Sequence, residues 1–337
     1  MIEAHVFNTF LASGLRESSW FPLLNYADGL VAPSFLFIAG FAQGLEQRIS
    51  PGKPINYRRR AARLIGIGAI GAALHFPLGE LAQHRWADAL RVGTQFDVLH
   101  CLAVSLGVLL ALSWITKGAT ALAGERTWLR RSGWWTGVVI LAIIAILGAP
   151  LVQGWTGGTV PLRAFVNHTT GSLFPLLPWA GFVLFGALAG AWRPQSLHER
   201  TAGMIGLAAA AWACRGVVFS AVSPAFFLER VAWVLVLAAV CEWRAQRPLP
   251  ALILFAGKNS LTLYVTHLVL ITALVSLGMP AATLPLSATI ILLAAVATVS
   301  IGATFLSSPA SSFLSSRRAV ANHASAPGLS LKAQPEL

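Results

Sequence analysis

Asp28-Gly29-Leu30-Val31-Ala32-Pro33-Ser34-Phe35-Leu36-Phe37-Ile38-Ala39-Gly40 places one carboxylate at the mouth of an uncharged apolar run. Arg48, Lys53, Arg58, Arg59, Arg60 and Arg63 follow close behind. An apolar run of this kind reads as a membrane helix, and the basic cluster marks its cytoplasmic end. The acid then lies at the far end, where a charge is costly enough to suggest a function. Asn25 and Tyr26 precede it and extend the polar approach.

The rest of the 337-residue chain agrees with that reading. It is 56% hydrophobic and only 11% charged, with a mean hydropathy of +0.70. Soluble domains carry roughly a quarter charged residues, so most of this chain belongs in lipid. The net charge of +12 would suggest nucleic acid in a soluble protein. Here the positive residues sit in short loops between apolar segments, where they set topology and touch anionic membrane lipids. Nucleic acid is excluded as a partner on that ground. Cys101, Cys214 and Cys241 lie far apart inside apolar runs and form neither a disulfide framework nor a metal-ligand spacing. They read as packing residues, and no metal is expected.

The expected fold is all-α, a polytopic membrane bundle of about ten spans. The apolar segments run over 1–14, 27–45, 61–79, 95–116, 133–154, 172–192, 202–222, 227–243, 252–277 and 284–306. The first covers only ~20 Å as a helix, short of the ~30 Å hydrocarbon core. It is therefore expected to be the remainder of a longer helix whose start lies upstream. Alternate loops are basic. One set holds Arg48 to Arg63, then Lys117, Arg126, Arg130 and Arg131, then Arg193 and Arg200, then Arg244 and Arg247, and the tail carries Arg317, Arg318 and Lys332. The other set holds only Arg16, Arg85, Arg91 and Arg163. Both termini are thus expected in the cytoplasm. Trp20, Trp86, Trp134, Trp135, Trp155, Trp192 and Trp243 fall near segment ends, as an interfacial belt would place them. Residues 1–306 form one helical domain on this reading, and the Ser-, Ala- and Pro-rich residues 307–337 a disordered cytoplasmic tail. No internal repeat of the transporter kind is present.

One motif misleads. Gly66-Ile67-Gly68-Ala69-Ile70-Gly71 matches the dinucleotide fingerprint letter for letter. That fingerprint needs a preceding strand and a βαβ unit, whereas these glycines lie inside an apolar helix and serve helix packing.

Polar residues within the spans are the candidates for chemistry: Glu3, His5, Asp28, His75, Asp97, His100, Arg215, Glu229, Arg230, Lys258, Asn259, Ser260 and His267. The predicted orientation puts Asp28, His75, Asp97, His100, Arg215, Glu229 and Arg230 in the outer half. His5 and His267 come near the middle, and Lys258, Asn259 and Ser260 on the cytoplasmic side. Such residues face the bundle interior or an aqueous cavity, so together they suggest a polar funnel. His75 reads as a hydrogen-bonding partner of a neighbouring helix. Arg230 reads as interfacial. Arg215 and Glu229 form either an interhelical ion pair or part of a site. Asp97 and His100, about one turn apart, form either a general-base dyad or a structural pair. His5 and Asp28 occupy the first two spans, and a histidine oriented by a carboxylate makes a general base near neutral pH. Asn167-His168-Thr169 is a glycosylation sequon in an outer loop.

Four stretches carry a family resemblance: Met1-Ile2-Glu3-Ala4-His5, Ala27-Asp28 through Gly40, Phe174-Pro175-Leu176-Leu177-Pro178-Trp179-Ala180-Gly181, and Gly257-Lys258-Asn259-Ser260-Leu261-Thr262-Leu263-Tyr264-Val265-Thr266-His267. Together they resemble bacterial members of the heparan-alpha-glucosaminide N-acetyltransferase catalytic-domain family, within the multi-pass transmembrane acyltransferases. The resemblance implies acyl transfer, acetyl-coenzyme A being the expected donor, from the cytoplasm to an amino or hydroxyl group of a sugar across the membrane. Members usually begin with a basic residue, an Asp and an Arg-Gly pair before the first span, and that prelude is missing here. The lysosomal enzyme has a polar residue in its first span and a histidine in the next luminal loop. Here His5 falls in the span and residues 15–25 contain no histidine, so a loop acyl-histidine does not carry over, and His5 becomes the base.

The residues suit that chemistry, which needs a base for the acceptor, donors for the oxyanion and cations for coenzyme A phosphates. His5 with Asp28 supplies the first, with His267, Asp97 and His100 as further catalytic candidates. Asn259 and Ser260 can donate to an oxyanion or contact pantetheine, and Lys258 with Arg58 to Arg63, notably Arg59 and Arg60, can hold phosphates. Equally, Gly257 to Ser260 can be a helix break with an N-cap. Competing readings are a transporter or flippase moving a lipid or sugar without chemistry, and a membrane scaffold subunit. The expected location is a bacterial inner membrane, and a homodimer is one assembly open to such a bundle.

Overall fold

The computed structural model describes residues 1–49, 54–122, 127–192, 203, 205–206, 209–210, 213, 222–245 and 249–307. Among these, regular structure is helical, with one isolated bridge between Leu11 and Leu284. Five helices are long and apolar enough to cross a membrane: Phe21–Ile49, Val98–Gly118, Ser132–Val152, Pro224–Arg244 and Leu286–Ser307. A bent pair, Ala251–Lys258 with Ser260–Ser276, brings the total to six if it counts as one span. Helices Ile2–Phe10, Tyr57–Leu74 and Leu176–Ala191 also form where apolar segments were expected. The first and last of these are short, and the middle one opens on Arg58, Arg59, Arg60 and Arg63. Most of the expected segment 202–222, with Arg215 and Cys214, lies outside the described residues, as does the tail beyond 307.

The chain divides into two compact units: Met1–Asp28 with Leu237 onward, and Gly29–Val236. In the first unit, Ile2–Phe10 packs on Leu286–Ser307 and Ser260–Ser276. Its core is Val6, Phe7, Phe10, Leu11, Phe21, Ile271 and Val296. A nine-residue helix leaves nearly half its carbonyls without intrahelical partners. Here the loop before Leu286 supplies them: Ala282 N donates to Thr9 O at 2.9 Å and Leu284 N to Phe10 O at 2.8 Å. Ala12 N returns a bond to Leu284 O at 2.9 Å.

The expected segment 252–277 is not one helix but two, set at 80°. Asn259 makes the corner. Its backbone N and its side-chain Nδ2 both donate to Phe255 O, at 3.1 and 2.9 Å, and its carbonyl accepts from Leu263 N at 3.0 Å. One residue therefore ends the first helix and opens the second, although its side chain points back and does not cap forward.

The second unit is built around Leu176–Ala191, which is apolar all round and buried along most of its length. It packs on Val31–Ile49, Thr127–Val152 and Val98–Leu122. Against Val31–Ile49 the two backbones touch. A Cβ on Gly40 or Gly44 would overlap the carbonyl oxygen of Val183 or Ala187, and one on Gly186 or Gly190 that of Phe37 or Phe41. Both helices carry the Gly-x-x-x-Gly spacing that permits this approach in membranes. The opposite face of Ser132–Val152 exposes Ile140, Ile143, Ile144, Leu147 and Leu151, a stripe suited to contact with lipid. An apolar cleft of about 600 Å³ separates Tyr57–Leu74 from Val98–Leu122. Trp86, Trp192 and Trp243 are exposed as belt residues should be, but Trp134 is buried in the bundle.

Candidate functional site

Each unit holds one cluster of histidines. In the first, the rings of His5 and His267 lie with centroids 5.3 Å apart, and Tyr264 closes the group at 5.5 Å from His267 and 6.5 Å from His5. His267 is 1% exposed. Its Nδ1–H donates to the Leu263 carbonyl one turn back at 2.8 Å, and because a carbonyl only accepts, this bond fixes the tautomer. Nε2 is then left with a lone pair, buried and without a hydrogen-bond partner among the described residues. His5 is half-buried beside it.

The Asp28 carboxyl approaches that of Glu3, and one oxygen of each is buried without a hydrogen-bond partner. No hydrogen bond joins His5 to Asp28 among the described residues; the rings touching His5 are those of His267 and Tyr264. On Leu286–Ser307 the hydroxyls of Ser300 and Thr304 are also fully buried and unpartnered. Sequence reasoning passed over both. Their signal is a four-residue spacing of small hydroxyl residues on one face of an otherwise apolar helix.

The helix corner gives the other first-unit candidates their setting. Lys258 and Ser260 are exposed on either side of Asn259, whose side chain bonds the Phe255 carbonyl.

In the second unit, Asp97 gathers two histidines. Asp97 Oδ1 accepts from the His100 backbone N at 3.0 Å and from His100 Nδ1 at 2.6 Å. Asp97 Oδ2 lies 3.7 Å from His75 Nδ1, whose proton goes to the Gly71 carbonyl of its own helix at 3.1 Å. His75 thus bonds within its own helix while bordering Asp97 on the neighbouring one. Gly71 makes room for the cluster: a Cβ there would come within 2.9 Å of His100 Cε1 and 3.0 Å of Asp97 Oδ1. Gly71 therefore does serve packing, whereas Gly66 of the same motif has open space around it.

Of the basic residues, Arg60 is engaged with Glu46 in an ion pair. Arg58, Arg59 and Arg63 are exposed near the start of Tyr57–Leu74, where the Asn56 side chain caps Arg59 N at 2.9 Å. Arg230 is buried, with its guanidinium 5.2 Å from the Phe226 ring and 3.9 Å from Glu229. The sequon residue Asn167 is fully buried; its amide donates to the carbonyls of Val152 and Trp155 at 2.8 and 2.9 Å, so it pins a loop. Cys101 is buried and Cys241 exposed. Among the described residues, no three His, Cys, Asp or Glu side chains converge as metal ligands.

The family described as "Heparan-alpha-glucosaminide N-acetyltransferase, catalytic" matches residues 1–219. The chain belongs to that family. Membership carries membrane acetyltransferase activity in general, with acetyl-coenzyme A as the family's general donor. The matched residues include His5, Asp28, His75, Asp97 and His100, and end before the Gly257 to His267 run. It is therefore the structure, not the family match, that brings His267 to His5. No curated protein and no solved structure matches the chain.

Proposed function

We propose that this protein transfers an acetyl or other acyl group from cytoplasmic acyl-coenzyme A to an amino or hydroxyl group of a cell-envelope sugar. The observation that carries this reading is the imidazole pair: His5, inside the family match, lies beside a buried His267 whose Nε2 has no hydrogen-bond partner among the described residues. A buried, unpartnered acceptor is costly, and a reacting group would satisfy it. His5 takes the proton of the acceptor N–H or O–H as that atom attacks the thioester carbonyl. The resulting oxyanion collapses, the C–S bond breaks, and the coenzyme A thiolate leaves and is protonated by the His5 imidazolium.

Arg58, Arg59 and Arg63, beside a capped helix N-terminus, suit the phosphates of the donor. Lys258 and Ser260 are further contacts for it. Glu3 and Asp28 shape the site, and their unpartnered oxygens suit acceptor hydroxyls. In this reading about ten crossings span a bacterial inner membrane with both termini in the cytoplasm, and a homodimer is a further expectation.

The test uses purified protein in lipid nanodiscs, acetyl-coenzyme A and glucosamine as the probe acceptor. Thiol release should match sugar acetylation, and His5→Ala should lower kcat by roughly 10²–10⁴-fold. Full activity in His5→Ala would remove the base assignment. Sugar uptake into sealed vesicles without consumption of donor would favour a transporter instead.

A further inference from the structure

The second unit holds a buried carboxylate that its own protein leaves half satisfied. Asp97 is 4% exposed. Its Oδ1 takes two hydrogen bonds from His100, while its Oδ2 is buried and has none among the described residues. Leaving an ionised oxygen buried without a donor is among the costlier arrangements a protein can hold. His75 does not relieve it, because its Nδ1–H is given to Gly71 O. The bond to Asp97 puts a proton on His100 Nδ1, so in the neutral ring Nε2 is an acceptor beside the same cluster.

The surroundings add to this. Phe96 lies against the His100 ring, with centroids 5.1 Å apart. The segment 167–174 is tied to Phe96 on both sides: Phe96 N donates to Ser172 Oγ at 3.0 Å and Phe174 N donates to Phe96 O at 3.2 Å. That segment brings two more unpartnered buried atoms, the hydroxyl of Thr170, which is itself 8% exposed, and Nε2 of His168. Aromatic planes beside a few fixed polar atoms make a small-molecule site. Here the atoms needing partners are mostly acceptors, so the ligand must bring donors. It must also bring an acceptor for the one hydroxyl. Vicinal hydroxyls on a ring supply both.

We propose that Asp97, His100 and His75, with Phe96, form a binding site for a hydroxyl-bearing sugar headgroup, which donates to Asp97 Oδ2 and His100 Nε2. The site lies at the ends of Tyr57–Leu74 and Val98–Leu122 remote from Arg58, Arg59 and Lys117. This rests on the reading that the protein acts on a sugar. Asp97 and His100 bind the headgroup and take no proton from it.

The test is binding without chemistry. Protein with ¹⁵N-labelled histidine in nanodiscs, with no acyl donor, is titrated with methyl glucoside and with glucosamine while the His100 Nδ1–H resonance is followed. A saturable shift is expected in the wild type, with affinity reduced about tenfold or more in Asp97→Asn. His75→Gln, which keeps the carboxylate, should fold and bind with a smaller loss, and it serves should Asp97→Asn fail to fold. No saturable shift with either sugar, or equal affinity in wild type and Asp97→Asn, would overturn the site. Because no donor is present, binding that persists while acyl transfer fails would sink the reading of His5 and leave this site standing.

Discussion

His267 and His100 are both locked by a bond from Nδ1, yet to different partners. His267 gives its proton to a backbone carbonyl one turn back, and the buried atom left over is a nitrogen of a ring that lies beside another imidazole. His100 gives its proton to a carboxylate, and the buried atom left over is the second oxygen of that carboxylate. The same side chain thus prepares two different surfaces. The first presents lone pairs on nitrogen, suited to taking a proton. The second presents an anionic oxygen, suited to holding a donor in place. Which of these a histidine builds depends on what its other nitrogen touches, and that is a property of the helix beneath it.

The comparison can be attacked from each side by substitutions away from the rings. The largest effect is expected from Phe10→Ala. Phe10 is fully buried where Ile2–Phe10 meets its neighbours, so a cavity there should cost about 3–5 kcal/mol and loosen the helix that carries His5. Denaturant unfolding in detergent measures the loss; an effect below ~1 kcal/mol would mean that this helix is not held as described. Gly71→Ala comes next. Its methyl must push His100 or Asp97 aside, at a cost of about 1–3 kcal/mol, and should shift the His100 Nδ1–H resonance. An unmoved resonance would show that the cluster has slack. Gly66→Ala, five residues earlier on the same helix, meets nothing. It should gain up to about 1 kcal/mol from helix propensity and leave that resonance alone.

Much of the framework can be read from hydropathy, because a helix in lipid is specified by a long one-dimensional property that survives any tertiary context. Apolar runs became helices at 31–49, 98–122, 132–152 and 286–307. What could not be read is set by contact between residues distant in the chain. The glycine motif that stood out, Gly66 to Gly71, puts one residue to tight use, whereas Gly40, Gly44, Gly186 and Gly190 bring two backbones together through a Gly-x-x-x-Gly spacing whose partner helix the sequence does not name. The break at Asn259 was one of the two readings of Gly257 to Ser260, but not its chemistry: the side chain bonds backward to Phe255 and does not cap the helix that follows. Trp134 sits near a segment end, but its side chain points inward, and sequence position alone does not tell depth from direction. At the site, His5, His267, Asp97 and His100 were visible as polar residues out of place. The Asp97–His100 pair was legible from its spacing, but the pairing of His267 with His5 and of His75 with Asp97 was not, since it depends on which helices adjoin.

The central claim is that acyl transfer runs on the first unit's imidazole pair, with His5 as the base, and not on the Asp97–His100 cluster of the second. The most direct measurement sets His5→Ala beside His100→Asn, recording kcat and the KM for glucosamine with acetyl-coenzyme A saturating. The account expects His5→Ala to lose kcat by about 100-fold or more, and His100→Asn to keep most of its kcat. A loss of kcat in His100→Asn with full turnover in His5→Ala would reverse the two roles and contradict the account.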